Sequence, residues 1–238
     1  FGLFKDGKGT NLLAPPPLKG LLVKDIIEYG ANQKIIVADY GLFWLSENNL
    51  KLSHFFDQPL RQSLGNLQIE TAHWDKALQT LWIGTVGGRL LSYHLPSTKL
   101  ESIALSSANQ AMIMCIAESN SRTLVVGTDG AGVFLIDKLK KSVVGKYSQY
   151  ETVEHLSGDA IYDIFKDKDN RMWIATNGGI NLMETPLNGF HVEFRHDDKP
   201  NLIAKDVVTC LMQDRRKNLW LGTNGGLSLK NATNAVVS

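Results

Sequence analysis

The chain has 238 residues, of which 43% are hydrophobic and 21% are charged, and its formal net charge is +1 at pH 7. This balance provides no basic surface for a nucleic acid backbone, so we expect no nucleic acid partner. No apolar run reaches the length of about 18 residues that indicates a membrane span, so we expect no direct membrane insertion in this region.

Short apolar segments recur along the chain, and a polar turn follows each of them. The five segments lie at residues 21–28, 67–74, 111–118, 160–167 and 207–214. Their length and their β-branched and aromatic residues predict strands. Helical repeats would need longer segments with a 3.6-residue apolar period, and no such segment is found.

After each of these strands the chain repeats a second strand, a tight turn and a return strand. The phrases are IIVADYGLFWL, LWIGTVGGRLL, LVVGTDGAGVFLI, MWIATNGGINL and LWLGTNGGLSL. Asn177-Gly178 and Asn224-Gly225 predict type I′ turns, in which both central residues have positive φ. The last glycines of the phrases lie 44 to 47 residues apart, at Gly41, Gly88, Gly132, Gly179 and Gly226.

A more variable fourth strand is predicted in each unit, for example at residues 99–105, 142–150 and 189–196. Four antiparallel strands in about 46 residues, repeated, predict an all-β fold, a β-propeller of four-stranded antiparallel blades. We expect about five blades plus a partial one, in a single β-propeller region over residues 1–238 that is a fragment of a larger propeller. The predicted blade units are residues 1–14 (partial), 21–56, 67–105, 111–150, 157–196 and 205–238.

The residues that recur at fixed places in the units have a packing explanation. A Trp, with Ile36 and Val125 as its smaller equivalents, can fill the space between neighbouring blades. Two residues later a small residue lets the adjacent sheet approach closely, and the Thr that follows can bond to the turn. We therefore assign structural roles to the repeated residues Trp82, Trp173, Trp220, Gly88, Gly179 and Gly226.

Two stretches carry a resemblance to a known repeat: DKDNRMWIATNGGI at residues 167–180 and DRRKNLWLGTNGGL at residues 214–227. They resemble the two-component-regulator propeller repeat, and LWIGTVGGR near residue 84 keeps its second half. The resemblance implies the periplasmic sensor domain of a bacterial hybrid histidine kinase or diguanylate cyclase, often with a glycan fragment as ligand. It also implies propellers of seven blades.

The number of units leaves two arrangements open. The hairpin FGLFKDGKGTNLLAP at the beginning could complete the last unit, whose fourth strand is not evident, and so close a six-bladed ring. Alternatively, the chain is an open arc of a larger propeller. We favour the arc because FGLF resembles a third strand, a position that GLSL already fills.

No catalytic or metal-binding motif is found. The six histidines lack the spacing of metal ligands, so we predict no metal and no cofactor. Cys115 and Cys210 lie in apolar runs, which predict buried free thiols. The basic run at residues 137–146 is interpreted as a solvated hairpin rim.

Propellers usually bind ligands at the mouth of the central channel, on inner strands and connecting loops. An aromatic ring beside polar groups suits a sugar, because the ring stacks on the apolar face of the sugar. The candidate ligand-binding residues chosen on this basis are Tyr40, His73, Trp74, Arg89, Tyr162 and Asp163.

The resemblance, together with the missing catalytic motif, implies a non-catalytic sensor domain in the periplasm that belongs to a signal-transduction protein of the inner membrane. We expect its ligand to be a small molecule or an oligosaccharide. Two alternatives stay open. A propeller lyase or glycosidase would need convergent carboxylates or a metal in the channel mouth. A scaffold would bind a protein partner, or a second copy as a homodimer, through an unpaired blade edge.

Overall fold

The computed structural model describes residues 2–5, 8–11, 20–49, 51–105, 110–150, 155–183, 190–194, 207–231 and 236–237. The described residues form an all-β fold with five four-stranded antiparallel sheets, and each sheet is built from consecutive strands. The sheets are the five blades of a β-propeller, which confirms the predicted fold class.

A short hairpin precedes the blades and forms a two-stranded sheet of its own. Its strands are β1 (Gly2–Lys5) and β2 (Lys8–Asn11). The predicted partial unit at residues 1–14 contains this hairpin, while residues 1, 6–7 and 12–14 lie outside the described residues.

The first three blades follow, each counted from its inner strand outward. Blade 1 consists of β3 (Val23–Gly30), β4 (Gln33–Ala38), β5 (Gly41–Ser46) and β6 (Lys51–His54). A short helix leads to the next blade, α1 (Gln58–Leu64). Blade 2 consists of β7 (Ile69–Asp75), β8 (Thr80–Thr85), β9 (Arg89–His94) and β10 (Lys99–Ala104). Blade 3 consists of β11 (Ile113–Glu118), β12 (Thr123–Thr128), β13 (Val133–Asp137) and β14 (Ser142–Tyr147).

Two further blades complete the described structure. Blade 4 consists of β15 (Ile161–Lys166), β16 (Met172–Thr176), β17 (Gly179–Met183) and β18 (Phe190–Phe194). Blade 5 consists of β19 (Val208–Gln213), β20 (Leu219–Thr223), β21 (Gly226–Lys230) and β22 (Val236–Val237). The expectation that the last unit lacks a fourth strand is wrong, because β22 pairs with β21.

The inner strands contact one another in chain order, β3 with β7, β7 with β11, β11 with β15 and β15 with β19. Among the described residues, no comparable contact joins β3 to β19. The β1–β2 hairpin does not complete blade 5 either, since its two strands pair only with each other. The structure therefore has the open arrangement rather than the six-bladed ring.

Neighbouring blades are held together by apolar side chains of the second strand. Trp82 is fully buried and packs against Ile113 and Ile116 of the next blade. Val125 does the same against blade 4. In blade 1, however, Ile35 rather than Ile36 takes this place, because Ile35 lies opposite Ile27 as Trp82 lies opposite His73. The prediction for Ile36 is wrong by one residue, because the turn Asp39-Tyr40 has two residues, as Asn177-Gly178 has, and is not one residue shorter.

The predicted close approach of sheets at the small residues is confirmed. A Cβ added to Gly84 would lie 2.5 Å from Cγ2 of Ile113, and one added to Gly127 would lie 2.6 Å from Cγ2 of Ile161. Thr128 also behaves as predicted, since its hydroxyl donates to the carbonyl oxygen of Gly132 across the turn. The small residues thus set the distance between neighbouring blades.

The hairpin turns differ from the prediction in one respect. Asn177-Gly178 forms the two-residue connection between β16 and β17, but neither residue has positive φ. The positive φ falls on the next residue, Gly179, at 133°, and Gly226 repeats this at 137°. The type I′ assignment is therefore wrong, although the positions of the turns are right.

Candidate ligand-binding site

The inner strands of blades 1 to 4 line a cavity of about 640 Å³. We call it the channel cavity. Its walls are residues 24–28 of β3, 70–74 of β7, 114–116 of β11 and 162–164 of β15. A cavity of this size lies in the range that usually holds a small-molecule ligand.

A bulge near the beginning of each inner strand shapes this wall. In all five inner strands the pairing register skips the second residue, so that residue leaves the regular ladder. Bulges re-aim side chains and are frequent beside functional sites. In blades 1 to 4 the skipped residues all line the channel cavity, and they are Lys24, Glu70, Met114 and Tyr162. Each of these blades therefore places one side chain at the same position of the cavity wall, but the residue type differs from blade to blade.

Two of the skipped residues neutralise each other across the first blade interface. Nζ of Lys24 lies 2.8 Å from Oε2 of Glu70, and both side chains are partly buried. A third charge sits across the cavity on Asp163. Its Oδ2 accepts a hydrogen bond of 2.7 Å from the backbone N–H of Leu211 in blade 5, and burial raises the pKa of its carboxyl.

His73 and Trp74 supply aromatic surface with unused polar atoms. Nε2 of His73 and Nε1 of Trp74 are buried without a hydrogen-bond partner. Burial lowers the pKa of His73 although Glu118, whose Oε2 is 4.0 Å from Nε2, opposes the shift. His73 is therefore neutral at pH 7. One edge of Trp74 is already occupied, because its ring packs against Tyr29 at 4.9 Å.

A buried ion cluster stands beside His73 at the interface of blades 2 and 3. Nζ of Lys138 lies 2.7 Å from Oδ2 of Asp75, and both side chains are fully buried. Glu118 is the second partner, with Oε1 3.4 Å from the same Nζ. The interpretation of residues 137–146 as a solvated rim is thus wrong at Lys138, whose ammonium group joins two blades.

Four of the six predicted ligand-binding residues lie in the channel cavity: His73, Trp74, Tyr162 and Asp163. The other two lie elsewhere. Tyr40 borders a smaller cavity beside α1, and Arg89 borders a third one between α1 and the outer strands of blade 2. Ligand binding by any of the six stays a prediction.

Sequence reasoning missed Lys24, Asp25 and Glu70 in the channel wall. Aligning the inner strands would have found them, since Lys24 and Glu70 occupy the second strand position that Tyr162 occupies in blade 4. The prediction that both thiols are buried is also wrong in part. Cys115 is largely covered and burial raises its pKa, whereas Cys210 is exposed because no described blade covers β19.

The chemistry available in the channel cavity is that of a polar ligand with an apolar face. Carboxylates, one ammonium group and the three aromatic rings of His73, Trp74 and Tyr162 converge there. Within the described residues no group of three or more His, Cys, Asp or Glu side chains could hold a metal ion. Nor is any described helix long and apolar enough to cross a membrane.

Blades 4 and 5 share a detailed turn structure that the other blades lack. Oδ2 of Asp167 accepts from Nε1 of Trp173 at 2.9 Å, and Oδ2 of Asp214 accepts from Nε1 of Trp220 at 3.3 Å. The sequence model of the two-component regulator propeller family matches residues 155–178 and 201–225, which contain both pairs. The match covers two segments of the chain, one in blade 4 and one in blade 5.

Solved structures similar to this chain share its fold. One is the extracellular domain of a protein described as the hybrid two component system BT3049 of B. thetaiotaomicron, with a TM-score of 0.70 and 22% identity over 87% of this chain and 26% of that one. Another is the corresponding domain of BT4673 from the same species, with a TM-score of 0.67 and 20% identity over 86% and 26%.

A third similar structure is PorZ of Porphyromonas gingivalis, a surface component of the type-IX secretion system. Its TM-score is 0.60, with 10% identity over 89% of this chain and 27% of that one. This chain thus spans about a quarter of the length of these structures. No curated protein sequence matches it significantly.

Proposed function

We propose that this propeller region senses a ligand outside the cytoplasm, in the periplasm, as part of a membrane-anchored bacterial signalling protein. The output of that protein would be a histidine kinase or a diguanylate cyclase. The observation that carries the proposal is the match of blades 4 and 5 to the two-component regulator propeller repeat. The extracellular domains of BT3049 and BT4673 support it, since they have the same fold.

The channel cavity is the proposed sensing site, and its ligand is a small polar molecule such as an oligosaccharide. Tyr162 offers a ring, and the Lys24–Glu70 pair offers both a donor and acceptors for hydroxyl groups. His73 and Trp74 add buried ring nitrogens without protein partners, and a ligand hydroxyl can satisfy such atoms. The bulged positions would set specificity because they differ in every blade.

Signalling needs no catalysis in this region, and we propose that none occurs. A glycosidase is the second candidate, because Asp163 is a carboxyl whose pKa is raised by burial and it shares the cavity with Asp25 and Glu70. Two contacts oppose this role. Asp163 is bonded to the backbone of Leu211, and Glu70 is paired with Lys24.

A panel of defined oligosaccharides tests the two candidates in one experiment. The unfolding midpoint of the purified region is recorded with each oligosaccharide, and the incubated sugars are then analysed by chromatography. We expect at least one oligosaccharide to raise the midpoint and to be recovered intact, since a ligand at 100 times its Kd stabilises by about 2.7 kcal/mol. Shortened products that disappear in Asp163→Asn would establish the glycosidase instead.

Assembly into a homodimer is a separate proposal that rests on the first and last described blades. Apolar residues are exposed there, with Val23 at 37% in blade 1 and Met212 at 57% and Leu227 at 60% in blade 5. Such surfaces commonly mark protein contacts. Light scattering of the purified region measures the mass directly, and a monomer at all concentrations would contradict a homodimer.

A further inference from the structure

A second cavity, of about 200 Å³, lies between blades 1 and 2 beside α1, and we call it the helix cavity. The helix that borders it is an insertion in the blade-to-blade connection and is firmly capped. The Asp57 carboxylate accepts from the backbone N–H of Leu60, and the N–H of Gly65 donates to the carbonyl oxygens of Arg61 and Gln62. The insertion is therefore an ordered wall, with Arg61 and Leu64 at the cavity.

The floor of the helix cavity is apolar. Leu42, Phe56 and Ile69 are at most 5% exposed, and the partly buried Leu64 and Leu67 complete the lining. An apolar cavity of about 150 Å³ accommodates a benzene molecule. The helix cavity thus has room for one such ring and a small polar group.

The polar side of the helix cavity carries one unpaired cation. Among the described residues, the arginines in ion pairs are Arg122 and Arg171, and no carboxylate pairs with Arg61. His54 adds no positive charge at pH 7, since burial, helped by Arg61, lowers its pKa. The nearby Asp57 carboxylate already caps α1. Among the described residues of the lining, Arg61 is therefore the cation available to an anionic group.

Tyr40 provides a hydrogen-bond donor at the same cavity. Its hydroxyl oxygen accepts a hydrogen bond from Nε2 of Gln68, which leaves the hydroxyl proton available for an acceptor. A hydroxyl and a guanidinium group are a donor set for an anionic oxygen, and bonds from a charged donor are about twice as strong as neutral ones.

We propose that the helix cavity binds a small organic carboxylate of the size of benzoate. Its ring or branched chain would lie on Leu42, Phe56 and Ile69, and its carboxylate would accept hydrogen bonds from Arg61 and Tyr40. The site is separate from the channel cavity and does not depend on what binds there.

Calorimetric titration of the whole region with benzoate and with its neutral analogue benzyl alcohol tests this site. We expect benzoate to bind at least ten times more tightly than benzyl alcohol. Arg61→Gln should weaken benzoate binding at least tenfold and leave benzyl alcohol within about twofold. Arg216→Gln is the matched control because Arg216 is an exposed arginine of blade 5 outside the lining of the helix cavity, and it should change neither affinity.

A charge-reversal variant provides a second test in case Arg61→Gln is difficult to obtain in folded form. Arg61→Glu should bind benzylammonium more tightly than benzoate, which inverts the preference of the natural chain. Unfolding midpoints close to that of the natural chain establish that the variants are folded, as expected for an exposed side chain. The proposal is overturned if benzoate shows no saturable binding, if both probes bind equally, or if Arg61→Gln binds benzoate as tightly as Arg216→Gln does.

Discussion

The carboxylate of Asp167 and the indole of Trp173 are joined by a hydrogen bond of 2.9 Å that is fully buried between blades 4 and 5. The same carboxylate also accepts from Nε of Arg171 and from the backbone of the turn. Asp167 therefore fixes the turn and the inter-blade Trp together. In blade 2 the corresponding carboxylate, Asp75, bonds to Lys138 instead, and Nε1 of Trp82 has no partner.

This difference predicts that the same substitution lowers the free energy of unfolding by different amounts in the two blades. Trp82→Phe and Trp173→Phe remove equal volume from buried positions, but only the second removes a hydrogen bond. We expect Trp173→Phe to lower the free energy of unfolding by about 1 kcal/mol more than Trp82→Phe does. Urea unfolding of both variants measures the difference, and an equal or larger loss for Trp82→Phe would contradict this account of the Asp167 bond.

The buried pair of Lys138 and Asp75 predicts strong destabilisation when one partner is removed. Lys138→Met leaves the Asp75 carboxylate buried and unpaired, which typically costs about 3–5 kcal/mol. The double variant with Asp75→Leu should recover most of that loss, because no fully buried charge is then left without a partner and the Glu118 side chain is 35% exposed. A double-mutant cycle by urea unfolding gives the coupling, and additive losses would exclude the pair as a joint between blades.

The backbone that packs against the hairpin turn of blade 4 predicts that replacing Gly178 destabilises the fold. An added Cβ would overlap the backbone oxygen of Ser157 in the preceding connection. We expect Gly178→Ala to cost about 1–3 kcal/mol, as over-packing usually does. Gly87 in the hairpin turn of blade 2 is the matched control, since nothing lies within 4 Å of its added Cβ. Unfolding of the two alanine variants at the same urea concentration would contradict a close contact at Gly178.

The buried carboxyl of Asp163 predicts a pH dependence of a definite sign. Burial raises its pKa above the usual 3.8, with the N–H groups of Leu211 and Ile164 opposing. A raised carboxyl pKa favours folding while the group is protonated, and this contribution is lost as the pH rises through the raised pKa. Asp163→Asn should therefore be at least as stable as the natural chain at pH 7.

Unfolding measured from pH 3.5 to pH 7 checks this sign. The stability advantage of Asp163→Asn should grow as the pH rises above about 4 and vanish below it. Asp129→Asn, at an exposed hairpin position, controls for the loss of one charge. An advantage that grows toward acid pH would mean that the carboxylate, rather than the carboxyl, is the form stabilised by the fold.

The fold could be predicted from the sequence because its signals are local and repeated. The hairpin phrases, the glycines and the tryptophans each appear several times, so a coincidental match in one unit does not decide the fold assignment. The site was predicted only in part, since Tyr162 and His73 lie in the channel cavity while Tyr40 and Arg89 do not. A blade unit indicates which strand carries a residue, but not which cavity its side chain borders.

The features that sequence reasoning missed are non-local or occur once. Lys138 meets Asp75 across 63 residues, and no spacing rule connects positions so far apart. Ile35 is an exception, because counting six residues back from Gly41, the spacing of Trp173 and Gly179, would have placed it in the Trp position. Helix α1 occurs in a single connection, and its signals are the capping Asp57 and the glycine that ends it, Gly65.

The most direct test of a sensing channel is calorimetric titration of two tyrosine variants with the oligosaccharide that raises the unfolding midpoint most. Tyr162 lines the channel cavity, and Tyr150, which is 81% exposed, is outside its lining. A sensing channel at this cavity predicts that Tyr162→Ala weakens binding at least tenfold, or about 1.4 kcal/mol, while Tyr150→Ala binds as the natural chain does. Equal affinities of the two variants would contradict it.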